Sequence, residues 1–297
     1  MEKELRTDFY KEISRNKTKS WLLVGIVIAF LFALVYVFSL LYGFGVLLIG
    51  GVFIIAYSLG TYYYGDKIVL ADTKARPVNE NNVKELQYKN IVENLALVAR
   101  IPVPKTYVID ENEMNAFATG RDPKHASVAI TTGLLNKLTR DELEGVIAHE
   151  LSHVSNYDVR YGTIVAVMVG LIAILSHFFI RMQFFRGGDD RKGSGIAVIL
   201  IIGIILAIIA PILVRIVQAS ISRKRESLAD ASGVRLTRYP EGLASALEKI
   251  KNNNKGDMKV SEAVSHLFFA DPTKSALDGL FATHPPIEER IKTLRAM

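Results

Sequence analysis

The chain has 297 residues, half of them hydrophobic and 22% charged, with a formal net charge of +6. It contains no cysteine, which excludes disulfides, thiol nucleophiles, iron–sulfur clusters and cysteine-type zinc sites. The apolar residues are gathered into long runs without charge or histidine, and this excludes a soluble cytosolic enzyme, because a bilayer core takes about 20 apolar residues per helix and a soluble domain seldom has one such run.

The first run, Trp21–Gly65, is long enough for two helices, Trp21–Leu41 and roughly Val46–Tyr64, joined by an uncharged turn around Tyr42–Gly45. A cleaved signal peptide is the competing reading. It fits poorly, since residues 1–20 already precede the run, which far exceeds the ~15 apolar residues of a signal. Beyond it, Lys84–Ala99 reads as a helix with Leu86, Ile91, Leu95 and Val98 as its apolar positions, ending before Pro102. Thr106–Ile109 and Ser127–Thr131 are short β-like runs, and Asn115–Thr119 between them is a loop or an exposed edge strand. Thr139-Arg-Asp-Glu142 has the spacing of a capping box, opening a helix that carries Leu143, Val146, Ile147, Leu151 and Val154.

Two further spans are expected at Tyr161–Ile180 and Ile196–Val214, bracketed by Arg160 and Arg181, then by Lys192 and Arg215. After them, Pro240 suits the first position of a helix, and a last helix runs from about Pro286 to Leu294. The organisation is therefore a basic tail at 1–20, a hairpin at 21–65, a first catalytic part at 66–160, a second hairpin at 161–214 with its loop at 181–192, and a second catalytic part at 215–297. Neither non-membrane part is a convincing domain alone, so the two are expected to fold together. The fold class is an α+β membrane protein with four transmembrane helices and a mostly helical zincin-type domain with a small β-sheet. Basic residues crowd the first 20 positions, the end of the second span and the end of the fourth, so that side is expected to be cytoplasmic. Basic flanks beside an anionic leaflet account for the net charge, and no nucleic acid is needed.

His149-Glu150-Leu151-Ser152-His153 lies within the capped helix. Histidines four apart differ by about 40° around a helix and about 6 Å along it, so both imidazoles reach one metal. Glu150, turned by about 100° from His149, can reach a water beside the metal without being a ligand. A zinc site needs a third protein ligand and an open fourth position. No third histidine follows at metzincin spacing; Glu226 is the better candidate, and Asp230, at i+4 from it, can orient a ligand histidine through its ring N–H. Both elements can meet at one metal only if the intervening hairpin crosses the membrane an even number of times. His284 is a candidate donor to the oxyanion or a simple stop before the last helix. Asp158 is a candidate to steady His153 or to cap the next helix, while His125, His177 and His266 read as structural.

These motifs resemble the HtpX family of membrane zinc metallopeptidases, gluzincins related to the CAAX prenyl proteases. The resemblance spans essentially the whole chain: the N-terminal hairpin, Asn115-Ala-Phe-Ala-Thr-Gly120, His149-Glu-x-x-His153, the second hairpin, Arg225-Glu226-x-x-Ala-Asp230 and His284-Pro-Pro286. It implies one Zn2+ per chain on His149, His153 and Glu226, Glu150 as general base, and Asn115, Ala116, Phe117 and Ala118 as an edge that pairs with extended substrate. It also implies a plasma-membrane, bacterial endopeptidase that cuts misfolded or damaged membrane proteins from the cytoplasmic side. The alternatives are a CAAX-type or intramembrane protease of narrow specificity, or a non-catalytic zinc-containing scaffold. Asp141, Glu142, Glu144, Asp158 and Arg160 crowd the motif too densely for the bilayer centre, and a purely structural site has no use for Glu150.

Overall fold

The computed structural model describes residues 43–167, 223–272 and 285–297, with scattered helical positions between residues 14 and 40. The expected second hairpin lies outside the described residues beyond its first turns, and so does His284. The sharp turn at Gly43 (φ 90°) opens α1, Phe44–Asp72. Of its 29 residues, the uncharged part, Phe44–Gly65, would extend about 33 Å, enough for a bilayer core. It is the one helix among the described residues long and apolar enough to cross a membrane. The helix continues eight residues beyond the expected span end at Tyr64, through Asp66 and Lys67, and Lys67 lies over the Tyr64 ring at 5.0 Å.

A four-stranded sheet follows. Strands β1 (Arg76–Pro77), β2 (Lys105–Ile109), β3 (Ala116–Gly120) and β4 (Ala126–Thr131) are ordered β1-β2-β4-β3. β2 runs parallel to β4, whereas β3 is antiparallel to β4 with Ala118 opposite Val128. The Asn115–Thr119 segment is thus an edge strand, but its side chains are buried, not exposed. Both faces are covered: Ala116, Ala118, Val128 and Ile130 join the main core, while Phe117 and Ala129 pack with Val69, Met258 and Phe268.

Helix α2, Val83–Ala99, starts where the Asn82 side chain accepts from Lys84 N–H. Its buried face is Tyr88, Ile91, Val92, Leu95 and Ala96; Leu86 and Val98, expected among its apolar positions, are exposed. The reason is Tyr88, whose hydroxyl donates to Val128 C=O at 2.8 Å and rotates the helix toward the sheet. After the short α3 (Thr132–Lys137), α4 (Arg140–Ser155) begins with the full capping box: Thr139 N–H donates to Glu142 and Glu142 N–H to Thr139 Oγ1. All five apolar positions expected in α4 are buried. Residues 158–167 are helical and form α5. The chain re-enters at α6 (Arg223–Thr237), continues into α7 (Pro240–Asn253, Pro240 in the first turn), and ends in α8 (Ile287–Arg295). Helix α4 sits against α6 and α7. A methyl group on Gly145 would lie 2.7 Å from Leu243 N, so only glycine permits the α4–α7 approach. Leu143, Ile147 and Leu151 share one core with Leu243, Leu247 and Leu294.

Candidate metal centre

Helix α4 carries His149 and His153 on one face, and α6 brings Glu226 and Asp230 against them. His149 Nε2 and His153 Nε2 are 3.1 Å apart, and each is 3.6 Å from a different oxygen of Glu226. Tetrahedral bonds of about 2.0–2.1 Å give an edge of about 3.4 Å, so the three donors have the spacing of one small cation's coordination shell. They are the one such cluster found among the described residues.

Each histidine is held through its other nitrogen. His149 Nδ1 lies 2.8 Å from Asp230 Oδ1, and Arg290 from α8 grips Asp230 with Nη2 at 2.7 Å and Nε at 2.9 Å. His153 Nδ1 lies 3.1 Å from Asp158 Oδ2, with Arg225 at 3.9 Å from Asp158 Oδ1. Both guanidiniums stack on aromatic rings, Arg290 on Phe269 at 4.8 Å and Arg225 on Tyr161 at 4.6 Å. Such partners fix ring orientation and tautomer at metal sites.

The charges test the fit further. Glu150, Asp158, Glu226 and Asp230 are buried together with Arg225 and Arg290, which makes the site rich in carboxylates. Burying them is costly unless a divalent cation completes the set. His153 reports these carboxylate-rich surroundings. Burial alone would lower its pKa, yet Glu226, Asp158 and Glu150 raise it to about 9. His149 is instead lowered to about 4 by burial, with Asp230 opposing, which keeps its lone pair available. Burial would raise the Asp230 carboxyl, but Arg290 and His149 hold it well below the usual range. The residues present fit a zinc ion.

Glu150 and Ala118 line a cleft with both histidines, Tyr161 and Phe269. Asn115 is at the sheet edge but fully buried, its amide engaged with Ala270. Ala116 faces the main core and Phe117 the opposite face. His266, read from the sequence as structural, is buried in the cleft wall with Nε2 3.1 Å from Gly162 C=O. His125 is bonded to Asp122 at the surface. Arg290 and Phe269 escape sequence reasoning, and Arg225 is visible there only as the first residue of the Glu226 motif, with no role assigned. For Arg290 the signal is one of two arginines in a short helix whose apolar residues are Ile287, Ile291 and Leu294, too little to single it out.

A buried His-Glu-x-x-His helix, a glutamate from a second helix and an edge strand beside both define a metallopeptidase-like protein. The chain belongs to peptidase family M48, whose model matches residues 82–297, and within it to the HtpX type. A curated protease HtpX homolog of Thermoanaerobacter pseudethanolicus is 44% identical over 298 residues, 98% of this chain and 99% of the relative. One from Streptococcus gordonii is 39% identical over 301 residues, 97% of this chain and 99% of the relative. The crystal structure of Ste24p from S. mikatae aligns with a TM-score of 0.49 at 20% identity, covering 97% of this chain and 67% of that one.

Proposed function

We propose that this protein is a zinc-dependent endopeptidase of the plasma membrane. In this reading it spans the bilayer four times and hydrolyses peptide bonds of misfolded or damaged membrane proteins on the cytoplasmic side. The observation that carries the reading is the donor set: three ligand atoms 3.1–3.6 Å apart, drawn from helices on either side of the expected second hairpin.

His149, His153 and Glu226 hold the ion, with Asp230 and Asp158 orienting the two imidazoles. Zinc bound there would polarise the scissile carbonyl and lower the pKa of a neighbouring water. Glu150 takes the proton from the attacking water and passes it to the leaving amine. His284 donates to the developing oxyanion, and of the expected Asn115–Ala118 edge it is Ala118, lining the cleft with His149 and Glu150, that meets the substrate main chain. The basic segments flanking the spans support the cytoplasmic orientation, and the family's proteolytic character supports protein substrates.

The test is cleavage of casein by detergent-purified protein, stripped with chelator and reloaded with zinc, with Glu150→Gln in parallel. Zinc-dependent cleavage lost in the variant is expected. Equal, negligible cleavage by both zinc-loaded proteins overturns the catalytic reading in favour of a scaffold.

A further inference from the structure

The outward edge of β3 is almost fully used by the protein itself. In an antiparallel pair, successive residues direct their N–H and C=O alternately toward the partner strand and away from it. Thr131 N–H donates to Asn115 C=O at 2.9 Å, so Asn115 faces β4, and Ala116, Ala118 and Gly120 face outward. Ala116 C=O is taken by Phe269 N–H at 2.8 Å. Next to it, the Asn115 side chain holds both backbone groups of Ala270, donating to its C=O at 2.8 Å and accepting from its N–H at 3.0 Å. At the other end, Gly120 N–H donates to Thr163 Oγ1 at 2.9 Å, and the same hydroxyl reaches Thr119 Oγ1 at 2.8 Å. Between these plugs stands Ala118. Among the described residues no hydrogen bond is made on its outward side, and it lines the cleft with His149 and Glu150.

Both plugs are built into the core. Phe268 and Phe269 are 0% and 2% exposed. Phe268 meets Phe117 edge-on at 5.1 Å, and Phe269 meets His149 at 5.0 Å. Thr163 is buried against α1, its Cγ2 where a side chain on Gly65 would collide.

We infer that β3 offers substrate a window one residue wide, at Ala118, with Phe269 and Thr163 as the residues that set its ends. A bound polypeptide makes two main-chain hydrogen bonds at one residue and turns away from the strand on both sides. A strand already paired in a folded sheet cannot do this; a locally unfolded chain can. This deepens the proposed peptidase reading and rests on it.

The experiment is a backbone scan on a casein-derived peptide whose cut site has been located by mass spectrometry. Peptides N-methylated at one amide each are compared for kcat/KM with zinc-loaded protein. Apart from the scissile amide, one position is expected to lose about five- to tenfold, the worth of one main-chain hydrogen bond. Residues two places to either side are expected to tolerate the methyl group. Losses at alternate residues, as in an extended paired strand, overturn the window. Thr163→Ala, which releases Gly120, is expected to add one sensitive position two residues from the first; an unchanged pattern overturns the role of Thr163. If that variant does not fold, the wild-type scan still decides. Failure of the unmethylated peptide to be cut in a zinc-dependent way counts instead against the peptidase reading.

Discussion

Gly233 sits on the face of α6 that carries Glu226 and Asp230. A methyl group there would lie 3.1 Å from His149 N and 3.3 Å from Ala148 C and His149 Cα. Carbon contacts are comfortable at about 3.5–4.0 Å, so Gly233→Ala requires α6 and α4 to part by about 0.3–0.5 Å. Glu226 and Asp230 move with α6 and the histidines stay with α4, so the displacement falls on the donor set itself. Loss of good geometry around metal ligands typically costs 10–100-fold in affinity, and a shift this small is expected to cost about tenfold. Local propensity works the other way, since alanine is better than glycine inside a helix by about 1 kcal/mol. The zinc-free variant should therefore unfold no earlier than wild type, while binding zinc about tenfold more weakly in competition with a chromophoric chelator. Wild-type zinc affinity, within twofold, would refute the reasoning.

Arg290→Met should lower the thermal midpoint by an amount equivalent to about 3–5 kcal/mol, because it leaves the Asp230 carboxylate buried without its counter-charge; scanning calorimetry with and without zinc checks this. Glu150→Gln should keep zinc affinity within a factor of two and reduce kcat by about 10²–10⁴-fold, read from peptide cleavage beside metal analysis. Stripping the ion should lower the melting temperature, because His149, His153 and Glu226 lose the cation they share, and zinc at 100 times its Kd should restore about 2.7 kcal/mol. Hydrogen bonds from Arg76 hold the Glu85 carboxyl below its ordinary range. Its stabilisation is complete above the unfolded value near ~4.3 and is lost as pH falls through the lower folded value. Glu85→Gln should therefore be less stable than wild type at neutral pH and converge with it in acid, followed by urea midpoints.

The local features were legible in the sequence. The capping box at Thr139 and Glu142, the histidines four apart and Pro240 at its helix start are each decided within one or two turns of chain. The pairing of Glu226 with the distant histidines was also readable, because zinc chemistry demands a third donor. What escaped depends on contacts between remote segments. Arg290 acquires its role only by meeting Asp230 across the fold, and Leu86 and Val98 lose their expected burial because Tyr88 orients α2. Asn115 and Ala116 carry the pattern of a free edge, yet Phe269 and Ala270 occupy their groups. No periodicity encodes that encounter.

The metal centre is divided along the chain in a way that bears on how the protein is made. His149 and His153 leave the ribosome with α4, before the apolar segments that follow, while Glu226 and Asp230 come only after those segments and Arg290 close to the end. Domains begin folding as they are synthesised, but here two imidazoles must wait for their partners on α6 and α8. A half-translated chain holds two of the three candidate donors and lacks Glu226. The candidate donor set is complete only once the later helices have returned to α4, so a nascent copy lacks Glu226 until α6 has been made.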